Sequence, residues 1–284
     1  MDICASGQPE IIPAPDYEKL LLQYREAEKR LLVFDYDGTL TPLVKDPEQA
    51  TLSAQALHSI MSLSTDPRNT VWIVSGRDQD FLEKRVGHIR ELGLSAEHGC
   101  FIRKPRSDSW ESLIEQTGLT WQTEVAEAFQ RFTERTKGSF TERKRVAVTW
   151  HYRQADPEEG ASQAQECLNL LEETVVGKWN VVVIPGKANL EVRPTCTNKG
   201  SVVTRLVDEN LSAPGRQYEY VLCVGDDHTD EDMFHALQKP NTPTKRICTI
   251  TVGPPSKRSA AKWSIPSDAE VIKLITRLNS THVV

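Results

Sequence analysis

Asp35 and Asp37 close a four-residue apolar run, Leu31-Leu32-Val33-Phe34, and lead directly into Gly38-Thr39-Leu40-Thr41. An apolar run of this kind suits a strand buried on both faces of a parallel sheet. Ionised carboxylates are costly to bury, so the acids belong where the strand ends and solvent or a metal takes over. Side chains repeat every second residue along a strand, so in extended geometry Asp35 and Asp37 share one face and Tyr36 takes the other. Such a pair makes a metal seat, a nucleophile with its acid/base, or both. The plain alternative is a polar turn leaving a strand.

The pattern recurs along the chain. Asn69-Thr70-Val71-Trp72-Ile73-Val74 ends in Ser75-Gly76-Arg77-Asp78, and Tyr220-Val221-Leu222-Cys223-Val224 ends in Gly225-Asp226-Asp227. Lys199 falls where Thr197-Asn198-Lys199-Gly200 opens a helix. Taken singly, these are a turn, a capping cluster and a solvated helix residue; together they stand in register with repeated strand–helix units. If they converge, Asp35, Asp226 and a backbone carbonyl near Asp37 offer hard oxygen ligands, which suit Mg²⁺ with several waters retained. Ser75 and Lys199 supply a hydroxyl and a cation for the oxygens of a phosphoryl group. No cysteine or histidine fits this set as nucleophile, which leaves a carboxylate. Its attack on phosphorus gives an acyl phosphate that water can cleave. Magnesium and lysine counter the repulsion between an anionic nucleophile and an anionic phosphate.

The elements that must position these groups alternate. Asp16 is a candidate N-cap for a helix with Leu20, Tyr24 and Ala27 at helical spacing, and Leu31 begins the first strand. A helix after Ser53, with Leu57, Ile60 and Met61 on one face, precedes the strand over 69–74. A helix through Phe81, Leu82 and Val86 follows, then a short third strand over 94–99. This alternation predicts a doubly wound, Rossmann-like parallel sheet, with functional groups at the carboxyl ends of its strands. After Lys104-Pro105-Arg106 the texture changes. An amphipathic helix over 120–136 precedes Arg145–Arg153, which alternates strictly, with Ala147, Thr149 and His151 on the wetter face. A helix over 157–176 and a hairpin, 181–184 with 188–192, complete the grouping. The parallel pattern resumes near Lys199, and Thr229-Asp230-Glu231-Asp232 reads as a capping box. The expected organisation is an α/β core from residues 1–108 and 196–284, with an α+β cap inserted over 109–195.

Composition narrows the function classes. The chain has 284 residues, 38% hydrophobic and 26% charged, with a formal net charge of −6 and no dense basic block. Nucleic acid is therefore not an expected partner, although a locally basic pocket can still hold a small phosphate. No apolar stretch approaches the roughly 20 residues that span a bilayer, and no secretory leader is recognised; a cytoplasmic protein without membrane contact is expected. Its six cysteines form no CxxC or zinc-spaced cluster, and Cys223 and Cys248 read as core residues.

The order Asp35-Tyr36-Asp37-Gly38-Thr39, Ser75, Lys199, Gly225-Asp226-Asp227 resembles the haloacid dehalogenase superfamily of phosphotransferases. Longer matches narrow the resemblance. Val74-Ser75-Gly76-Arg77, Ala96-Glu97-His98-Gly99, Glu191-Val192-Arg193-Pro194, Asn198-Lys199-Gly200 and Gly225–Phe234 resemble the trehalose-6-phosphate phosphatases, over essentially everything from Leu31 to the last helix. The resemblance implies Asp35 as nucleophile and Asp37 as general acid/base, with Thr39 orienting the pair and Ser75 and Lys199 binding the phosphoryl group. It implies Mg²⁺ held by Asp35, the Asp37 carbonyl and Asp226, with Asp227 and Asp230 as ligands or close behind. Arg77 would steady the acidic loops at the substrate. In the cap, on the face that closes over the metal in this family, Glu142, Lys144, Lys187 and Glu191 would read the sugar. His151, Arg153 and Arg193 are weaker candidates, and for His151 a hydrogen-bonded place on the sheet's wet face is an equal reading. Fungal relatives often carry a synthase-like domain before this portion, so the chain is expected to correspond to the phosphatase portion alone and a trehalose-synthase complex is an expected partner.

The leading expectation is hydrolysis of trehalose 6-phosphate to trehalose and phosphate through a phosphoaspartyl enzyme. Alternatives are a phosphatase for sucrose phosphate or another sugar phosphate, a phosphomutase, and a catalytically dead sugar-phosphate sensor. Intact Asp35, Asp37, Lys199 and Asp226 weigh against the sensor.

Overall fold

In the computed structural model the chain is described over residues 11–44, 46–114, 120–211, 217–239, 242, 244 and 246–281. Cys4 and most of the lead-in before Asp16 lie outside these residues. The chain divides into two compact units, Ser112–Thr197 and the segments on either side of it.

The first segment runs α1 (Tyr17–Glu26), β1 (Arg30–Phe34), α2 (Ala54–Thr65), β2 (Asn69–Val74), α3 (Gln79–Val86), β3 (Gly93–Ala96), β4 (Phe101–Arg103) and β5 (Glu111–Ser112). The intervening segment holds α4 (Trp121–Arg135), β6 (Phe140–Arg143), β7 (Val148–His151), α5 (Pro157–Leu171), β8 (Val181–Pro185) and β9 (Asn189–Pro194). The last segment runs α6 (Lys199–Leu211), β10 (Tyr220–Gly225), α7 (Glu231–Leu237), β11 (Arg246–Val252), β12 (Trp263–Ile265) and α8 (Asp268–Ser280). Among the described residues, no helix is long and apolar enough to cross a membrane.

The larger sheet has the order β12-β11-β10-β1-β2-β3-β4-β5. Pairing is parallel from β12 through β3 and turns antiparallel at β3–β4. β1 lies between β10 and β2, and all five of its residues are buried. A doubly wound α/β core is thus what the apolar runs build, and the adjacent strands β10, β1 and β2 bring their carboxyl ends together. Local caps do what the side chains dictate: Asp16, Ser53 and Asp78 each accept a backbone N–H in the first turn of α1, α2 and α3.

The second unit carries a four-stranded antiparallel sheet, β6-β7-β9-β8. α4 and α5 bury Val125, Phe129, Phe132, Cys167 and Leu171 against Trp150, Leu190 and Val192.

Several expectations shift. The third strand ends at Ala96 rather than Gly99, because Glu97, His98 and Gly99 take positive φ (46°, 54° and 102°) that no strand accommodates. The buried stripe of α2 is Ala56, Ser59, Ile60, Leu63 and Ser64, which leaves Met61 40% exposed. The wet face expected of β7 is drier: Thr149 is buried and bonded to Glu191. β4, β5, β6 and β12 were not expected; runs of two to four residues carry too few alternations to register as strands. Thr229–Asp232 is no capping box, since Asp230 turns its carboxylate away from α7 toward the preceding loop.

Candidate active site at the strand carboxyl ends

At the end of β1, Asp35 is 4% exposed and its Oδ1 accepts a hydrogen bond from Lys199 Nζ at 2.6 Å. The same ammonium donates to Asp230 Oδ1 at 2.7 Å. Asp230 Oδ2 accepts the backbone N–H groups of Asp226 and Asp227, at 2.8 and 2.9 Å. Lys199, first residue of α6, thus bridges the nucleophile candidate to the residue that shapes the loop after β10. Asp35, Asp226 and Asp230 each place one carboxylate oxygen within 4.8 Å of the others.

Gly38 has φ of +80°, and a Cβ there would meet Asp226 Oδ1 at 2.7 Å with other carboxylate atoms closer still. Only glycine both adopts that conformation freely and admits the acid. The adjacent Thr39 is fully buried, and among the described residues its hydroxyl has no hydrogen-bond partner.

Electrostatics follow from crowding. Burial raises the Asp35 carboxyl well above its usual range; Lys199 opposes this, while Asp230, Asp226 and Asp227 add to it. Burial likewise lifts Asp230 to about 6, against the pull of Lys199. For Lys199 burial favours the neutral amine, but Asp230 and Asp35 outweigh it and hold the ammonium charged. Burial also works against ionised Asp227, yet Lys199 and the Thr229 hydroxyl keep that carboxyl below its ordinary range. One lysine does not balance this many carboxylates, so the cluster favours a further cation.

Asp37 takes a different partner. Arg77 donates Nε and Nη2 to its two carboxylate oxygens, both at 2.7 Å, in the bidentate fork that gives strength and a fixed orientation. The guanidinium lies 4.2 Å from the Phe81 ring centroid, and Tyr36 meets the same ring edge-on. Ser75 Oγ accepts the Arg77 N–H at 3.1 Å, which tucks the β2 loop under its own arginine. Asp227 is turned to Thr229, whose N–H and hydroxyl it accepts at 2.8 and 2.7 Å; it stands apart from the three-carboxylate group.

Two features escaped the sequence reading. The left-handed turn Glu97-His98-Gly99 donates its first two N–H groups to Arg77 O and Ser75 O, at 2.9 and 3.0 Å, and lays the His98 ring over Gly76. The motif was visible; its role as a clamp on the β2 loop was not. Lys257 donates to Asp226 O, and to Thr251 Oγ1 at 2.8 Å, tying the β10 loop to β11. Nothing in the local sequence marks this lysine.

In the second unit, Lys144 Nζ pairs with Glu191 Oε2 at 3.2 Å, and Thr149 Oγ1 donates to the same oxygen. His151 Nε2 lies 2.7 Å from Glu142 Oε2. Lys187 is exposed on the β8–β9 turn, its carbonyl accepting from Arg153. Arg193 is buried, donates to Thr197 O, and approaches Glu191 at 3.9 Å. Glu142, Lys144, His151 and Glu191 therefore gather around one sheet, while Lys187 and Arg153 stand at its hairpin turn.

This architecture is that of solved phosphatases. A trehalose-6-phosphate phosphatase structure from Aspergillus fumigatus matches 94% of this chain and 98% of its own, at 60% identity and a TM-score of 0.70. The C-terminal domain of the Candida albicans trehalose-6-phosphate phosphatase matches 95% of this chain and 99% of its own, at 42% identity and a TM-score of 0.89. The trehalose-phosphatase family model covers residues 33–269, and the chain belongs to that family. A trehalose-phosphatase of Schizosaccharomyces pombe is 47% identical over 279 residues, 97% of this chain but 34% of the relative. The chain thus spans about a third of the length of the curated relatives it matches.

Proposed function

We propose that the chain is a Mg²⁺-dependent phosphatase of the haloacid dehalogenase type that hydrolyses trehalose 6-phosphate to trehalose and phosphate, the last step of trehalose biosynthesis. The observation that carries the chemistry is the buried Asp35–Lys199–Asp230 cluster beside Asp226 at the ends of adjacent strands; the family and its solved members carry the substrate.

The donor set suits magnesium. Every candidate ligand is a hard carboxylate or carbonyl oxygen, the cluster holds more negative charge than Lys199 balances, and Gly38 leaves room for the Asp226 carboxylate. Asp35, Asp226 and the Asp37 carbonyl would hold the ion. Asp230, with both oxygens already accepting hydrogen bonds, and Asp227, bonded to Thr229, would orient the loop behind it. The bound ion supplies charge neutralisation for the phosphoryl group.

In the proposed reaction an Asp35 oxygen attacks phosphorus and the bond from phosphorus to the sugar oxygen breaks. Asp37, held by Arg77 through both oxygens in the free chain, would keep one of those contacts and, as the neutral acid, give its proton from the other oxygen to that leaving oxygen. Water then attacks the aspartyl phosphate while Asp37 takes a proton from it, releasing inorganic phosphate and restoring the Asp35 carboxylate. Lys199, Ser75 and the Thr39 hydroxyl would hold phosphoryl oxygens. Glu142, Lys144, Lys187 and Glu191 would read the sugar hydroxyls, for which carboxylates and ammoniums are complementary acceptors and donors. The setting proposed is the cytoplasm, with a trehalose-synthase complex as partner on the strength of the fungal resemblance.

The test is a substrate panel with Mg²⁺. Trehalose 6-phosphate should release phosphate far faster than glucose 6-phosphate or sucrose 6-phosphate; equal rates on all three overturn the substrate assignment. Asp35→Asn should abolish turnover with the fold intact, and retained activity removes the covalent route.

A further inference from the structure

Phe140 opens β6 and is 42% exposed, although the same sheet buries a full apolar core on its other side. The register explains the split. Thr141, Trp150 and Leu190 align across β6, β7 and β9, and Trp150 and Leu190 enter the core. Phe140, His151 and Asn189 align one step away, on the opposite face. There the Phe140 ring stacks on His151, with centroids 4.6 Å apart and planes 18° from parallel. His151 in turn holds Glu142, two residues along β6 and on the same face. Thr149 and Glu191, with Lys144, continue that face.

An exposed ring whose neighbours on the same face are an imidazole, an amide and a carboxylate does not suit an apolar protein partner, which needs a contiguous hydrophobic patch. It suits a ligand with one flat C–H face and a rim of hydroxyls. We propose that Phe140 is a specificity-determining residue that stacks on a pyranose ring of the sugar phosphate, with His151 as its positioning residue. His151 backs one face of the phenyl ring and anchors Glu142, so ring plane and hydroxyl acceptor are set by one imidazole. A rigid aromatic with two side-chain torsions gives this contact at small entropic cost. The inference rests on the sugar-phosphate reading above and extends it to residues to which that reading gave no role, or only a weak one.

The experiment measures kcat and KM for trehalose 6-phosphate and for para-nitrophenyl phosphate, with Mg²⁺, in the full chain and its variants Phe140→Ala, Phe140→Leu, Phe140→Tyr and His151→Ala. Phe140→Ala is expected to raise KM for trehalose 6-phosphate about 3- to 10-fold more than for the aryl phosphate. Phe140→Tyr should restore the wild-type value, and Phe140→Leu, apolar but not flat, should not. His151→Ala should raise the same KM. Equal changes on both substrates, an unchanged KM in Phe140→Ala, or full restoration by leucine overturns the stacking role. A melting temperature lowered without a selective KM change also overturns it. If the wild-type chain shows no preference for trehalose 6-phosphate, the substrate assignment has failed instead, so the two failures are distinguishable.

Discussion

Gly76→Ala tests whether the β2 loop is held at its working position by the turn that follows β3. A Cβ on Gly76 would lie 2.7 Å from His98 Cε1 and nearer still to Nε2, whereas ordinary contact begins at 3.4 Å. The shortfall is therefore at least about 0.7 Å. The His98 backbone is pinned, left-handed at φ 54° with its N–H bonded to Ser75 O, and its ring Nδ1 is buried, so the ring can turn aside only into packed surroundings. The loop must then give, carrying Ser75 and Arg77 with it, and Arg77 aims Asp37. A misplacement approaching 1 Å at reacting groups costs up to about 100-fold in rate, so kcat should fall about 10- to 100-fold, or about 1.4 to 2.7 kcal/mol in barrier. Overpacking should also cost about 1–3 kcal/mol of stability. Steady-state phosphate release with Mg²⁺ and urea unfolding measure the two effects. Adding His98→Ala removes the ring and should recover part of the lost rate. Wild-type kcat in Gly76→Ala, or a double variant no faster than the single one, refutes the clamp.

Two further outcomes follow from the same geometry. Lys199→Met leaves Asp35 and Asp230 buried without their shared cation and should cost about 3–5 kcal/mol in urea unfolding; a loss below about 1 kcal/mol would show that the carboxylates protonate at little cost. Arg77→Lys keeps the charge but loses the fork on Asp37. It should slow trehalose 6-phosphate, whose sugar leaving group needs a proton, about 10-fold more than para-nitrophenyl phosphate, whose leaving group does not; parallel losses would remove Asp37 as the proton donor.

What the sequence determined by itself is periodic or contiguous. The apolar runs that become β1, β2 and β10, the acids, serine and lysine that follow them, and the caps Asp16, Ser53 and Asp78 act on neighbours a few residues away, so local spacing suffices. Because parallel strands direct their carboxyl ends to one edge, the gathering of the ends of β10, β1 and β2, and with it the approach of Asp35 to Asp226, was also legible in outline. Tertiary structure alone decided which group meets which. Lys199 reaches Asp35 from 164 positions away, and Lys257 reaches Asp226 from 31. Asp230, which reads locally as part of a helix cap, is drawn instead to Lys199 and the Asp226 and Asp227 amides. The left-handed turn at Glu97 and His98 is unfavourable in isolation, and its backbone bonds to Ser75 and Arg77 hold it in place. Phe140 reads as an ordinary apolar residue until pairing with β7 places it beside His151 on the face away from the core. Spacing along a chain specifies which side chains an element presents; only the packed sheet specifies their partners, because hydrogen bonds and close contacts act over a few ångströms in space whatever the distance in sequence.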